Sequence, residues 1–126
     1  MIGKIYRSIT LYYDSRIKKT TTKSRPVLIL STPRNNDYTI LPISTITKKQ
    51  NLDFEYDVEL NPDELTNLKL NKISYVRTHK RIYIHSADLD LSKDLGDIKT
   101  CYPELYKDII ERMEKYNSVI KEECLK

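Results

Sequence analysis

Arg25 stands where a polar, basic stretch turns at once into the apolar run Pro26-Val27-Leu28-Ile29-Leu30, and Ser44-Thr45 close a second apolar run that begins at Tyr38. A guanidinium stays charged at physiological pH and its planar donors fit two oxygens of one phosphate, while hydroxyls donate single hydrogen bonds. Each feature also has an ordinary reading, the arginine as a surface charge and the Ser-Thr pair as a strand end. Histidine is the usual acid or base near neutral pH, which singles out His79 and His85, although strand histidines also serve structural and surface roles. Strand alternation puts Tyr75, Arg77 and His79 on one face.

Charge is uneven along the chain. Residues 1–50 carry ten Lys and Arg against Asp14 and Asp37, a net +8, whereas residues 51–126 carry twelve against sixteen acids, a net −4. Such a bias suits a phosphate-backbone partner, and it is shared by solvated faces and membrane-surface proteins. Arg16, Lys18, Lys19 and Lys23 lie in a stretch from Asp14 to Ser24 without hydrophobic periodicity, which reads as a mobile loop. A single RNA strand passing beside it would gain phosphate contacts there, and Tyr12, Tyr13 and Tyr75 are candidates to stack on bases. Cys101 and Cys124 show no CxxC or Cys/His spacing, so they read as packed thiols, and neither a metal site nor a cofactor is expected. No apolar run approaches the roughly 18 residues that span a bilayer, and the first residues lack a signal-peptide core, so no membrane association and a cytoplasmic location are expected.

The elements that must position these groups follow from length and period. A chain of 126 residues suits a single domain, 1–126. A first strand is expected at Gly3–Tyr6 with a continuation at Ile9–Tyr13, then a hairpin of Pro26–Leu30 with Tyr38–Ile43 across the turn formers Thr32–Asp37. Asp53–Leu60 alternates acidic and apolar residues, which puts Phe54, Tyr56, Val58 and Leu60 on one buried face. Asn61-Pro62-Asp63-Glu64 reads as the start of a short helix through Leu68, followed by a strand pair, Lys72–Thr78 with Arg81–His85. Leu105, Ile109, Met113, Tyr116 and Ile120 recur at helical spacing, predicting an amphipathic helix from Pro103 to about Glu123. The sum is mainly β with α: a small, partly open antiparallel barrel with a short helix and a long C-terminal helix.

The order Gly3-Lys4-Ile5, basic stretch, KSRPVLIL, ILPIST, Asn-Pro-Asp-Glu-Leu and ISYVRT resembles the MazF/PemK (Kid) family of toxin endoribonucleases over about residues 2–85. That resemblance implies an SH3-like (CcdB/PemK-type) barrel and a homodimer. It also implies single-stranded RNA (mRNA) cleaved at short sequences without metal, and a cognate antitoxin. Arg25 matches the family's catalytic arginine, Ser44 and Thr45 its Thr-Ser pair with the order exchanged, and Arg77-Thr78 the Arg-Thr after the substrate groove. Two departures stand out: Ser74 occupies the position of an acid four residues before that Thr, and the histidine of the first loop is missing.

On this basis the expected catalytic residues are Arg25, Ser44 and Thr45, and the expected RNA-binding residues are Arg16, Lys18, Lys19, Lys23, Arg77 and His79. The alternative is a non-catalytic RNA- or protein-binding module on the same barrel. The gyrase-poisoning relative CcdB works through a C-terminal Trp-Gly-Ile, and this chain contains no tryptophan.

Overall fold

The computed structural model describes the backbone of residues 1–126 and all side chains except those of Thr10 and Tyr12. β1 (Lys4–Asp14) and β2 (Lys19–Ile29) form a long antiparallel hairpin, and β3 (Asp37–Ser44) returns beside β2. β4 (Asp57–Leu60), β5 (Ser74–Arg77), β6 (Ile82–His85) and β7 (Leu89–Asp97) complete a curled sheet of order β4-β5-β3-β2-β1-β7, with β6 added to β3. Helix α1 (Ile98–Cys101) leads into the long helix α2 (Pro103–Cys124). This is the mainly-β, open half-barrel with a long C-terminal helix that the sequence suggests.

The uninterrupted apolar run in β2 is explained by burial on both of its faces. Leu28 joins Ile5, Leu41, Ile43, Val58, Val76 and Ile109 in the core under α2, whereas Val27 and Ile29 point the other way into a second cluster with Tyr6, Tyr38, Ile40 and Leu89. Helix α2 buries Ile109 fully, with Leu105, Tyr106 and Met113 packed against the same core. Further along, Tyr116 meets the Tyr56 ring edge-on at 5.0 Å, and Lys115 pairs with Glu55 at 2.8 Å. The apolar stripe fades beyond that point, since Ile120 is 40% exposed.

Five local expectations are corrected. Cys101 and Cys124 are free but exposed, not packed, because they fall off the buried faces of α1 and α2. The basic stretch from Asp14 to Ser24 is not a loop: β1 runs to Asp14, β2 starts at Lys19, and only residues 15–18 turn. Thr20-Thr21-Thr22 supplies the reason, because β-branched side chains favour extended backbone. No helix forms after Asn61. Its side chain accepts the Asp63 amide at 3.0 Å and its carbonyl accepts Glu64 and Leu65, and then Leu68 is drawn into the core and the Lys69 amide bonds Leu95. One turn is a costly helix nucleus, and docking of Leu68 outweighs its propagation.

β5 and β6 do not pair with each other; each pairs with a different part of β3. Phe54 is 76% exposed, because the strand begins only at Asp57 and the residues before it form a turn in which Asp53 accepts the Glu55 and Tyr56 amides.

β7 carries no legible period because its pairing with β1 is interrupted twice, between Ile5 and Tyr6 and between Tyr6 and Arg7. Lys4 bonds Asp94 at 3.0 Å across this irregularity. The bond raises the Lys4 pKa and, together with the Gly96 amide, lowers that of Asp94. Gly96 has φ of +127°, and a Cβ there would sit 2.7 Å from Leu68 Cδ2 and 2.9 Å from the Asn67 carbonyl. Gly96→Ala should therefore lose about 1–3 kcal/mol of stability, through left-handed strain and displacement of Leu68. A urea midpoint equal to that of the parent chain would contradict this.

Candidate active-site cleft

β2 and β3 pair only at Val27–Ile29 with Ile40–Pro42, and beyond that they part company. Proline has no N–H to give a ladder, and Pro26 and Pro42 stand at this point on the two strands. β2 goes on beside β1, where Arg25 faces Ser8, and β3 goes on beside β5, where Ser44 faces Tyr75. The split opens a cleft of about 500 Å3. Lys23, Ser24, Arg25 and Pro26 form one lip with Arg7 behind them, and Ile43, Ser44 and Thr45 form the other. Leu70, Asn71, Lys72 and Ser74 make the third wall.

Among the described residues four cationic side chains line this cleft and no carboxylate does. Five ion pairs among the described residues lie outside the lining: Lys4–Asp94, Arg16–Asp14, Arg77–Asp57, Arg112–Asp108 and Lys115–Glu55. Among the described residues Arg7, Arg25 and Lys72 make no side-chain hydrogen bond or ion pair. Two buried serines hold the backbone beneath the cations. Ser8 donates its hydroxyl to the Arg25 carbonyl at 3.3 Å, and Ser74 donates to that of Lys72 at 3.1 Å.

The fold thus brings Arg25, Ser44, Thr45 and Lys23 together. Arg16, Lys18 and Lys19 lie at the far end of the β1–β2 hairpin, outside the cleft lining, and Arg16 is engaged by Asp14. Arg77 and His79 also lie outside the lining, because both turn towards the buried carboxylate of Asp57. Arg77 Nε donates to it at 2.7 Å, and His79 Nδ1 stands 3.8 Å from it without a hydrogen-bond partner. The His79 ring lies within 6 Å of both Tyr56 and Tyr116. Thr78 is buried and donates to the Tyr56 carbonyl. His85 is exposed on β6 and accepts the Ala87 amide. Of the proposed stacking residues, Tyr13 is 63% exposed, Tyr75 is half-buried beside Ser44, and the Tyr12 side chain lies outside the described residues.

Sequence reasoning missed Arg7, Asn71 and Lys72. The available signal was the pair of prolines, which marks where two adjoining strands must separate and so where a groove can open.

The sequence matches, over residues 9–114, the family described as PemK-like, MazF-like toxin of type II toxin-antitoxin system. The chain belongs to this MazF/PemK toxin family. Its members are known as endoribonuclease toxins. A comparison with curated proteins gave no match. The fold of this MazF-like chain is similar to that of the Mycobacterium tuberculosis toxin MazF-mt6, with a TM-score of 0.57 and 22% identity over 89% of this chain and 97% of that one. A second solved structure, an Mtb toxin, gives a TM-score of 0.54 and 21% identity over 73% of this chain and 91% of the other. Among the described residues of the MazF-like chain no helix is long and apolar enough to cross a membrane.

Proposed function

We propose that residues 1–126 act as one MazF/PemK-like domain: a sequence-specific, metal-independent endoribonuclease toxin (an mRNA interferase) that cuts single-stranded RNA through attack by its own 2′-hydroxyl. The observation that carries this reading is the cleft, where four cations meet the Ser44 and Thr45 hydroxyls and, among the described residues, no carboxylate. Such a lining attracts a phosphodiester and favours the extra charge that develops on phosphorane oxygens. Arg25 clamps two of those oxygens, and the Ser44 or Thr45 hydroxyl donates a further hydrogen bond. The 2′-oxygen bonds to phosphorus as the bond to the 5′-oxygen breaks, which leaves a 2′,3′-cyclic phosphate and a 5′-hydroxyl.

Arg25 does not serve as the base. A guanidinium keeps its proton in proteins, so an arginine offers no base. With His79 outside the cleft lining, water takes the 2′-proton and returns one to the leaving oxygen.

The same feature favours a second reading, a binding module. Among the described residues no carboxylate or imidazole lines the cleft to take a proton. Incubating the purified protein with a long single-stranded RNA in EDTA, then mapping 5′ ends, separates the two. Discrete cuts at one short word support the enzyme, and intact RNA that stays bound supports the module. An mRNA substrate places the chain in the cytoplasm, and family membership supports a homodimer restrained by a cognate antitoxin. The basic hairpin arm at Arg16–Lys23 and the cleft suit an acidic antitoxin segment, which should suppress cleavage less as salt rises.

A further inference from the structure

The β1–β2 hairpin outruns the rest of the sheet. β1 pairs with β7 only from Lys4 to Ser8, and β2 pairs with β3 only from Val27 to Ile29. From Ile9 to Asp14 and from Lys19 to Ser24 the two strands therefore form an arm that, among the described residues, has no third strand on either side. Such a ribbon offers unpaired N–H and C=O groups to any extended chain. Its two edges differ. β2 carries Lys19, Lys23, Arg25 and Pro26, the residue types that keep foreign strands off an edge. β1 has no such guard between Arg7 and Asp14: the run Ile9-Thr10-Leu11-Tyr12-Tyr13 holds no charge, no proline and no glycine, and is mostly β-branched or aromatic. The faces differ too. Ile9, Leu11 and Tyr13 share one face, opposite Ser24, Thr22 and Thr20, and are 42%, 70% and 63% exposed. Register puts Lys19, Lys23 and Arg25 on the other face.

From this asymmetry we infer that the outer edge of β1, from Ile9 to Tyr13, docks an extended segment of a partner protein in which apolar and acidic residues alternate. The segment bonds to the open main-chain groups of β1 and so adds one strand to the arm, on the side that β7 leaves free. Its apolar residues cover Ile9, Leu11 and Tyr13, and its carboxylates fall on the face that carries Lys19, Lys23 and Arg25. The β1 of a second copy fits worse, because it brings no acid between Ile9 and Tyr13 and sets two basic hairpins side by side. The cleft takes its lip from Lys23 to Pro26 on β2, so a strand on the opposite edge of the arm leaves it open to RNA. The inference thus goes beyond the nuclease reading and does not depend on it.

The test follows amide hydrogen exchange by NMR on the full chain. The probe is a synthetic peptide of about eight residues alternating Val and Glu, and the control has the same composition with its Val residues in one block. The alternating peptide should bind at least about fivefold more tightly than the control and slow exchange at alternate amides of residues 9–13, because only every second N–H of an edge strand points outward. Leu11→Lys places a charge on the edge and should weaken that binding by about tenfold. Leu11 is exposed, so the variant should keep the parental melting temperature. Equal affinity for the two peptides, or binding without amide protection, would reduce the effect to charge attraction and overturn the inference. Parental peptide affinity in Leu11→Lys would also overturn it. So would the same protection appearing without peptide as protein concentration rises, which assigns the edge to a second copy, or on adding a single-stranded RNA alone, which assigns it to the substrate. A parent chain that takes up the peptide and leaves RNA uncut would sink the nuclease reading and uphold this one.

Discussion

Arg25→Ala lowers RNA cleavage by at least about 10²- to 10³-fold, the effect of deleting one pre-organised charge stabiliser. Arg25 is exposed, its side chain has no partner among the described residues, and the Ser8 hydroxyl bonds its carbonyl rather than its guanidinium. The far-ultraviolet spectrum, melting temperature and oligomeric state should therefore be unchanged. The loss should fall mainly on kcat, because charge on the phosphorane oxygens grows in the transition state. Arg25→Lys should recover only part of the rate, since a point charge does not reproduce the two-pronged geometry. A variant with parental kcat would exclude Arg25 from the reaction.

The largest stability effect is expected at Asp57, whose side chain is wholly inaccessible. It accepts the Asp53 amide at 2.8 Å and Arg77 Nε at 2.7 Å, and so joins the turn before β4 to β5. Replacing it with Ala leaves a largely buried guanidinium and an amide unpaired, which costs about 3–5 kcal/mol. For a domain of this size that lowers Tm by roughly 10–20 °C, with a matching fall in the urea midpoint. Asp57 does not line the cleft, so the folded fraction at low temperature should still cut RNA. Asp57→Ala with a parental Tm would mean that the Arg77 pair adds nothing. Loss of cleavage in a folded variant would tie the Arg77–His79 side of the barrel to the reaction.

The parts of this architecture legible in the sequence are those governed by local period and by burial on both faces. The Leu105–Ile109–Met113 stripe of α2 and the doubly buried run of β2 are of this kind. Arg25, Ser44 and Thr45 flank such runs at matching ends, and it was their match to the family's motif that named them together as a site. What stayed hidden depended on distant contacts. β7 is broken by two irregularities against β1, so no alternation marks it. The Asn61 turn carries every helix-start signal, and yet Leu68 is committed to the core before a second turn can form.

The third cleft wall was invisible for the same reason. Asn71 and Lys72 reach the cleft only because Gly96, Tyr102 and Leu95 hold the connection in place. His79 illustrates the reverse error. Alternation correctly grouped it with Arg77, but a buried carboxylate twenty residues upstream of Arg77 drew both away from the cleft lining.

Replacing the ribose at the mapped cut site of an RNA oligonucleotide by a single deoxyribose, in EDTA, tests the central claim most directly. Attack by the 2′-hydroxyl predicts that the all-ribose strand is cut to a 2′,3′-cyclic phosphate and a 5′-hydroxyl, while the substituted strand binds and stays intact. Cleavage of the deoxyribose-containing strand at that position would contradict it.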